Sequence, residues 1–248
     1  GKKLLGGGHV SIEAPYILYD KESDYYYLYV SYGGLEQKKG YQIRVFRSKT
    51  PDGNYEDMKG EHPEPGAGSH NNFGLKLSGN YRLPSLDQAY MATGHNSAFI
   101  AKDGRRYIVN HTRFENRGEQ HQPRVHQYLL NEEGWPCMLP YATDGETVSE
   151  KGYEKSKVVG EYYMINQGTK IGSLIAEPEK IVLTEGGNLF GEKIQGMWKA
   201  KDGSYYIHMI VDGKEYSGVL CEMNDEAGTK TMTFSAVGEN EGLWGGKY

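Results

Sequence analysis

Glu13 is the residue of this chain best placed for acid chemistry. It lies in Ser11-Ile12-Glu13-Ala14-Pro15-Tyr16, a carboxyl among apolar neighbours. Desolvation by such neighbours would raise its pKa, as a general acid at neutral pH requires. The same setting also suits a surface glutamate at the start of a strand. His95, in Gly94-His95-Asn96-Ser97, is the second candidate. A histidine there could ligate a metal, hydrogen-bond a substrate or simply pack.

These residues need elements to carry them, and a repeat supplies the frame. Tyr26-Tyr27-Leu28-Tyr29-Val30-Ser31 matches Arg106-Tyr107-Ile108-Val109-Asn110-His111, and Arg44-Val45-Phe46 matches Arg124-Val125-His126 at the same offset. Upstream, Pro15-Tyr16-Ile17-Leu18 lies opposite Asn96-Ser97-Ala98-Phe99, once a slightly longer turn at Asp20-Ser23 is allowed. Each unit reads as four short strands. Asp20-Lys21-Glu22-Ser23, Pro51-Asp52-Gly53 and Lys102-Asp103-Gly104 supply turns. Repeats of this kind suggest propeller blades, although two unrelated β-meanders would look similar.

In a blade the first strand lies nearest the central channel, and the second returns to the face where the first began. That face would gather Glu13, Ser31, Tyr32 and Gly33-Gly34 from the first unit. From the second it would gather Gly94, His95, His111, Arg113 and Phe114, with His95 in the place of Glu13. A carboxylate, two histidines, an arginine and several aromatics on one mouth suit sugar cleavage better than an apolar ligand pocket. Tyr32, His111 and Arg113 are therefore expected to bind substrate.

Composition agrees with an all-β chain. Its 248 residues include 34 Gly and 21 Tyr but only 6 Phe, and Tyr-rich strands between Gly-rich turns suit pleated, half-buried surfaces. A net charge of −5 argues against a nucleic-acid partner, which would need clustered Lys and Arg. No run approaches the roughly 20 apolar residues of a membrane helix. Gly1-Lys2-Lys3-Leu4-Leu5 is basic and then apolar, but two leucines do not make a signal-peptide core. Cys137 and Cys221 suggest neither a metal site nor a disulfide.

The pattern changes near residues 141–158, where Asp144-Gly145-Glu146 opens a polar, turn-rich stretch. The expected division is residues 1–145 as blades and 158–248 as a compact all-β barrel or sandwich. In the second part, strands are expected at Val158-Met164, Glu179-Leu183, Met197-Lys199, Tyr205-Ile210, Tyr216-Glu222 and Lys230-Phe234. No segment has convincing helical periodicity.

Several of these motifs resemble one family. Ser11-Ile12-Glu13-Ala14-Pro15-Tyr16-Ile17, Tyr25-Tyr26-Tyr27-Leu28-Tyr29-Val30-Ser31-Tyr32 and Arg44-Val45-Phe46-Arg47-Ser48 resemble the fourth blade of the endo-arabinanases of glycoside hydrolase family 43. Gly94-His95-Asn96-Ser97, His111-Thr112-Arg113-Phe114, Arg124-Val125-His126-Gln127 and Asn131-Glu132-Glu133-Gly134-Trp135-Pro136 resemble its fifth. Val159-Gly160-Glu161-Tyr162 and Leu243-Trp244-Gly245-Gly246-Lys247-Tyr248 resemble the additional β-domain of the larger members.

The resemblance implies a five-bladed propeller that cleaves α-1,5-linked arabinofuranosides with inversion, secreted or surface-held in a bacterium. It implies three carboxylates: an aspartate base, a glutamate acid matched by Glu13, and an aspartate that orients the acid. It also implies a channel metal, calcium by the family's precedent, held partly by His95; calcium prefers oxygen ligands, so this is an unusual site. Both aspartates belong to blades that the resemblance does not find here. Asp20, Asp52, Asp103, Asp202 and Asp212 read as turn residues, and Asp24, Asp57, Asp87 and Asp144 stand outside the relevant motifs.

Two blades cannot close a ring and would leave an unpaired sheet edge. The expectation is a companion N-terminal chain or segment, on the order of 150 residues at roughly 40–50 per blade. Two alternatives stay open: a non-catalytic carbohydrate-binding propeller, and another family-43 specificity such as arabinofuranosidase or xylosidase.

Overall fold

The structure, a computed structural model, describes residues 1–7, 11–64, 70–85 and 87–248. Turn residues divide the first half into two antiparallel meanders. The first sheet is β1 (Ile12–Asp20), β2 (Tyr25–Tyr32), β3 (Gln42–Ser48) and β4 (Leu75–Ser78), paired in chain order. The second is β5 (Tyr81–Leu83), β6 (Gln88–Ile100), β7 (Arg106–Phe114), β8 (His121–Leu130) and β9 (Pro136–Met138), also paired in order. Asp20 shows how the turns are made. Its carboxylate accepts from the Glu22 and Ser23 amides at 2.9 and 3.2 Å and pairs with Arg106 across the sheets at 2.5 Å. Burial works to raise the Asp20 pKa, but the bonds from Arg106 and the two amides outweigh it and hold it below the usual carboxylate range.

The remaining strands settle the choice between barrel and sandwich. They are β10 (Gly160–Asn166), β11 (Glu179–Leu183), β12 (Asn188–Gly191), β13 (Gln195–Ala200), β14 (Tyr206–Val211), β15 (Lys214–Asn224), β16 (Lys230–Gly238) and β17 (Glu241–Lys247). They form a closed barrel, with β17 returning to pair with β10 from Tyr162↔Lys247 to Asn166↔Leu243. Closure leaves no free edge. Among the described residues the helical content is one turn at Lys155–Val158 and a 3₁₀ turn at His70–Asn72. Among the described residues no helix is long and apolar enough to cross a membrane.

Alternation along β11–β17 sends Ile181, Leu189, Trp198, Met209 and Phe234 into the barrel core. Another set on the barrel wall, including Ile165, Val219, Val237 and Trp244, joins Tyr29, Tyr81 and Tyr128 of the two sheets in one continuous core. Barrel and sheets are thus fused rather than tethered. Cys137 and Cys221 are both buried free thiols in that core.

Polar contacts reinforce the junction. The buried Lys76 ammonium donates to the Gln167 and Lys170 carbonyls at 2.6 and 3.1 Å, and Arg44 donates to the Thr169 carbonyl. Asn80 donates to the Gly172 carbonyl at 3.2 Å. The loop after β10 is therefore held by its own carbonyls against the first sheet.

His126 gives this junction a pH dependence. It is buried against Trp244, with ring centroids 6.2 Å apart, and its Nδ1–H donates to the Leu139 carbonyl at 2.9 Å. Burial pushes its pKa down to about 4. The folded state therefore keeps His126 neutral while the unfolded chain takes up a proton near pH 6.5. The resulting stability is complete above about pH 6.5 and is lost as pH falls toward 4, a swing on the order of 3 kcal/mol. Urea unfolding of a His126→Gln variant should show a flatter dependence between pH 4 and 6.5. Equal slopes in variant and parent would refute the assignment.

Candidate functional site

Two bulges place the candidate residues. In β1 the pairing jumps from Glu13↔Ser31 to Tyr16↔Tyr29; in β6 it jumps from Gly94↔His111 to Ser97↔Val109. The two bulges superpose through the repeat, but with a correction. Glu13 corresponds to Gly94, so His95 corresponds to Ala14. Both Ala14 and His95 adopt left-handed backbone, with φ of 50° and 52°, a conformation costly for non-glycine residues and concentrated at functional sites. Bulges of this kind re-aim side chains beside active sites.

A buried hydrogen-bond chain fixes the bulges to each other. The His95 amide donates to Ser31 Oγ at 2.8 Å, and Ser31 Oγ donates to Asn96 Oδ1 at 2.8 Å. Asn96 Nδ2 reaches the Ala14 carbonyl at 3.5 Å. Ser31 and Asn96 are both buried, so this chain replaces the hydrogen bonds that the bulges forfeit.

Glu13 and His95 project from this frame and are exposed. The apolar enclosure expected around Glu13 is not formed by the described residues. Its neighbours are polar and aromatic instead. The Tyr41 hydroxyl faces the Glu13 carboxyl and Ser31, and lies 3.5 Å from His95 Nδ1. Burial, assisted by the Glu13 charge, pushes the Tyr41 pKa up to about 12.

His111 stacks on Tyr41 at 5.7 Å and on His95 at 6.0 Å, and His121 lies 5.3 Å beyond. Burial, then the charges of Arg113, His121 and His95, push the His111 pKa down to about 4. His111 is therefore a neutral ring at physiological pH, and its buried Nε2 has no protein partner.

Two expected substrate contacts lie elsewhere. Tyr32 is fully buried with Leu28, Val30, Phe46 and Tyr55, beneath the Arg44 guanidinium at 4.7 Å. Adjacent strand residues point to opposite faces; since Ser31 turns toward the second sheet, Tyr32 must turn away. Arg113 is also largely buried. It donates to the Leu35 carbonyl at 2.9 Å and pairs with Glu119 at 3.1 Å, so it clamps the loops beside the mouth.

No sequence motif marks Tyr41. It lies in the loop before β3, 28 positions beyond Glu13, and only packing brings it to the site. The one legible trace is Gly94. A Cβ at that position would sit 2.3 Å from the Tyr41 ring, so the glycine is the space that the ring occupies.

A metal at His95 would draw few protein donors and would have to be held mostly by water. Among the described residues no group of three or more His, Cys, Asp or Glu could hold an ion. A hard calcium ion prefers six to eight oxygen ligands, and His95 offers one nitrogen. None of the described aspartates joins the cluster. Asp57, for example, is buried at the barrel junction, accepting from Asn240 Nδ2 at 2.7 Å and the Gly74 amide at 3.1 Å. A separate cleft on the barrel, lined by Tyr153, Trp198 and Lys201, contains none of the candidate residues.

The model described as glycosyl hydrolases family 43 matches residues 5–136, and that of a C-terminal lipocalin-like domain matches residues 140–245. An extracellular endo-α-(1→5)-L-arabinanase of Thermotoga petrophila is 42% identical over 99% of this chain and 54% of its own length. The extracellular endo-α-(1→5)-L-arabinanase 2 of Bacillus subtilis is 40% identical over 100% of this chain and 55% of its own. The crystal structure of a family 43 glycoside hydrolase from Bacillus licheniformis superposes with a TM-score of 0.93 at 41% identity, covering 100% of this chain and 58% of that one. The chain thus spans about half the length of the curated relatives it matches.

Proposed function

The chain belongs to glycosyl hydrolase family 43, and from that premise we propose that it carries the acid side of an inverting arabinanase site in the last two blades of a five-bladed propeller. Glu13 protonates the leaving oxygen of an α-1,5-arabinofuranosidic bond. The observation that carries this reading is the placement of Glu13: a carboxyl on a bulge at the mouth, facing Tyr41 and beside the His95–His111 stack. His111 lines the sugar subsite with its neutral ring, stacked on Tyr41 and His95. Arg113 acts through the loops it clamps, and Tyr32 supports the sheet beneath the site.

Inversion requires a second carboxylate across the scissile bond, roughly 6.5–9.5 Å from the acid, to activate water. That aspartate, and the one that orients Glu13, are proposed to come from polypeptide outside these 248 residues. The extracellular relatives support secretion. Linear arabinan incubated with this chain, assembled with that polypeptide, should yield arabino-oligosaccharides whose reducing ends first appear in the inverted configuration by NMR. Release of arabinose alone would point to an exo-acting arabinofuranosidase, and no hydrolysis to a binding propeller.

His95 is proposed as the single protein ligand of a channel ion whose other ligands are water. No hydrolytic step is assigned to that ion. Replacing His95 by Ala should weaken calcium binding by about tenfold or more in titration calorimetry, as loss of a ligand's supporting partner alone costs 10–100-fold. The variant should still fold. Unchanged calcium affinity would remove the ion from this position.

A further inference from the structure

We propose that the Tyr41 hydroxyl helps to position the Glu13 carboxyl for proton transfer, beside the orienting aspartate supplied from outside these residues, a role resting on the reading of Glu13 as general acid. Glu13 is exposed, and an exposed glutamate samples many rotamers. A general acid must nevertheless stay within hydrogen-bond reach of one leaving oxygen.

Tyr41 is the rigid object beside it. The residue is fully buried, and its ring is stacked on His111 at 5.7 Å with planes 23° apart. On another side the ring fills the space a Cβ at Gly94 would take, 2.3 Å from the Tyr41 Cδ1. Its backbone is held as firmly. Gly40, with φ of 71°, abuts Gly172 of the barrel loop so closely that a Cβ would lie 2.4 Å from the Gly172 nitrogen. That loop is in turn held through the Gly172 carbonyl by Asn80, in the turn between the two sheets. A tyrosine locked at both ends presents its hydroxyl at one point, 3.5 Å from His95 Nδ1 and beside the Glu13↔Ser31 pair, whose Ser31 Oγ accepts from the His95 amide at 2.8 Å.

Donation from the hydroxyl to one carboxyl oxygen leaves the other free to carry the proton to the leaving group. The same bond steadies the carboxylate that remains after transfer. Tyr41 touches neither substrate nor reacting atoms in this scheme; it acts through Glu13.

The test is Tyr41→Phe, which keeps the ring and its stacking, measured in the assembled enzyme beside Glu13→Gln. For Tyr41→Phe, kcat on linear arabinan should fall by on the order of 10- to 100-fold with KM unchanged. A 4-nitrophenyl arabino-oligosaccharide, whose leaving group needs little protonation, should lose less than about threefold. Equal loss on both substrates, or a change confined to KM, would reduce Tyr41 to a packing residue. If Glu13→Gln shows the leaving-group split and Tyr41→Phe does not, the positioning role fails and the acid assignment stands. If Glu13→Gln shows no split, the acid assignment itself falls. Should Tyr41→Phe fold poorly by circular dichroism, Gly94→Ala displaces the ring from the other side, and an unaltered leaving-group dependence there overturns the proposal.

Discussion

Replacing Glu13 by Gln is expected to lower kcat on linear arabinan by about 10²–10⁴-fold while leaving the protein folded. The two halves of this expectation have separate grounds. Glu13 is exposed and forms no part of the three apolar cores. Substitution at such a site changes stability by about 0.5 kcal/mol or less. Glutamine has nearly the same shape and can still accept from Tyr41, so the bulge and the Ser31–Asn96 chain should persist. What it cannot do is deliver a proton. The loss should therefore track the leaving group: large for a sugar alkoxide, small for a nitrophenolate. Michaelis parameters for both substrates decide it, with unfolding midpoints as the control. A uniform loss would place Glu13 in binding rather than acid chemistry.

Much of this site was legible because the repeat is written in residue types that turn and alternate. Asp20, Asp52, Asp103, Asp202 and Asp212 close turns or strand ends as their neighbours suggest, and Glu13 and His95 both stand on bulges linked through Ser31. The misreadings have physical causes. Tyr32 shares a strand end with Ser31, but the two-residue period of a strand turns it to the opposite face. The motifs set His95 in the place of Glu13, whereas the bulges align it with Ala14. Tyr41 could not be found by motif, since only packing of β3 against β6 brings it to Glu13.

In the barrel, β12 and β17 went unread for a related reason. β17 holds three glycines in seven residues, Gly242, Gly245 and Gly246, and glycine is depleted in strands. Its composition answers to close approach: a Cβ at Gly245 would lie 2.0 Å from the Phe234 ring. A sequence pattern records intrinsic preference, and here tertiary contact overrides it.

Trp244 to Ala should cost about 3–5 kcal/mol and disturb both halves of the molecule. The tryptophan lies in β17 but faces outward from the barrel, into the core shared with the sheets. It is 1% exposed, meets Tyr81 edge-on at 4.9 Å and stacks on His126 at 6.2 Å. Truncating a buried tryptophan forfeits its transfer free energy and leaves a cavity, which sets the range of about 3–5 kcal/mol. The informative comparison is Trp198, which is also buried but belongs to the barrel's own core. Trp198→Ala should cost a similar amount while leaving the sheets in register. Trp244→Ala should also loosen the junction, and with it the barrel loop whose Gly172 abuts Gly40 beside Tyr41. Calorimetry should show one transition for the parent and a split or broadened one for Trp244→Ala. Amide exchange should quicken around Gly40–Ile43 in that variant and not in Trp198→Ala. If the parent already melts in two independent steps, or if the two variants are indistinguishable near Tyr41, the shared core does not couple the barrel to the site.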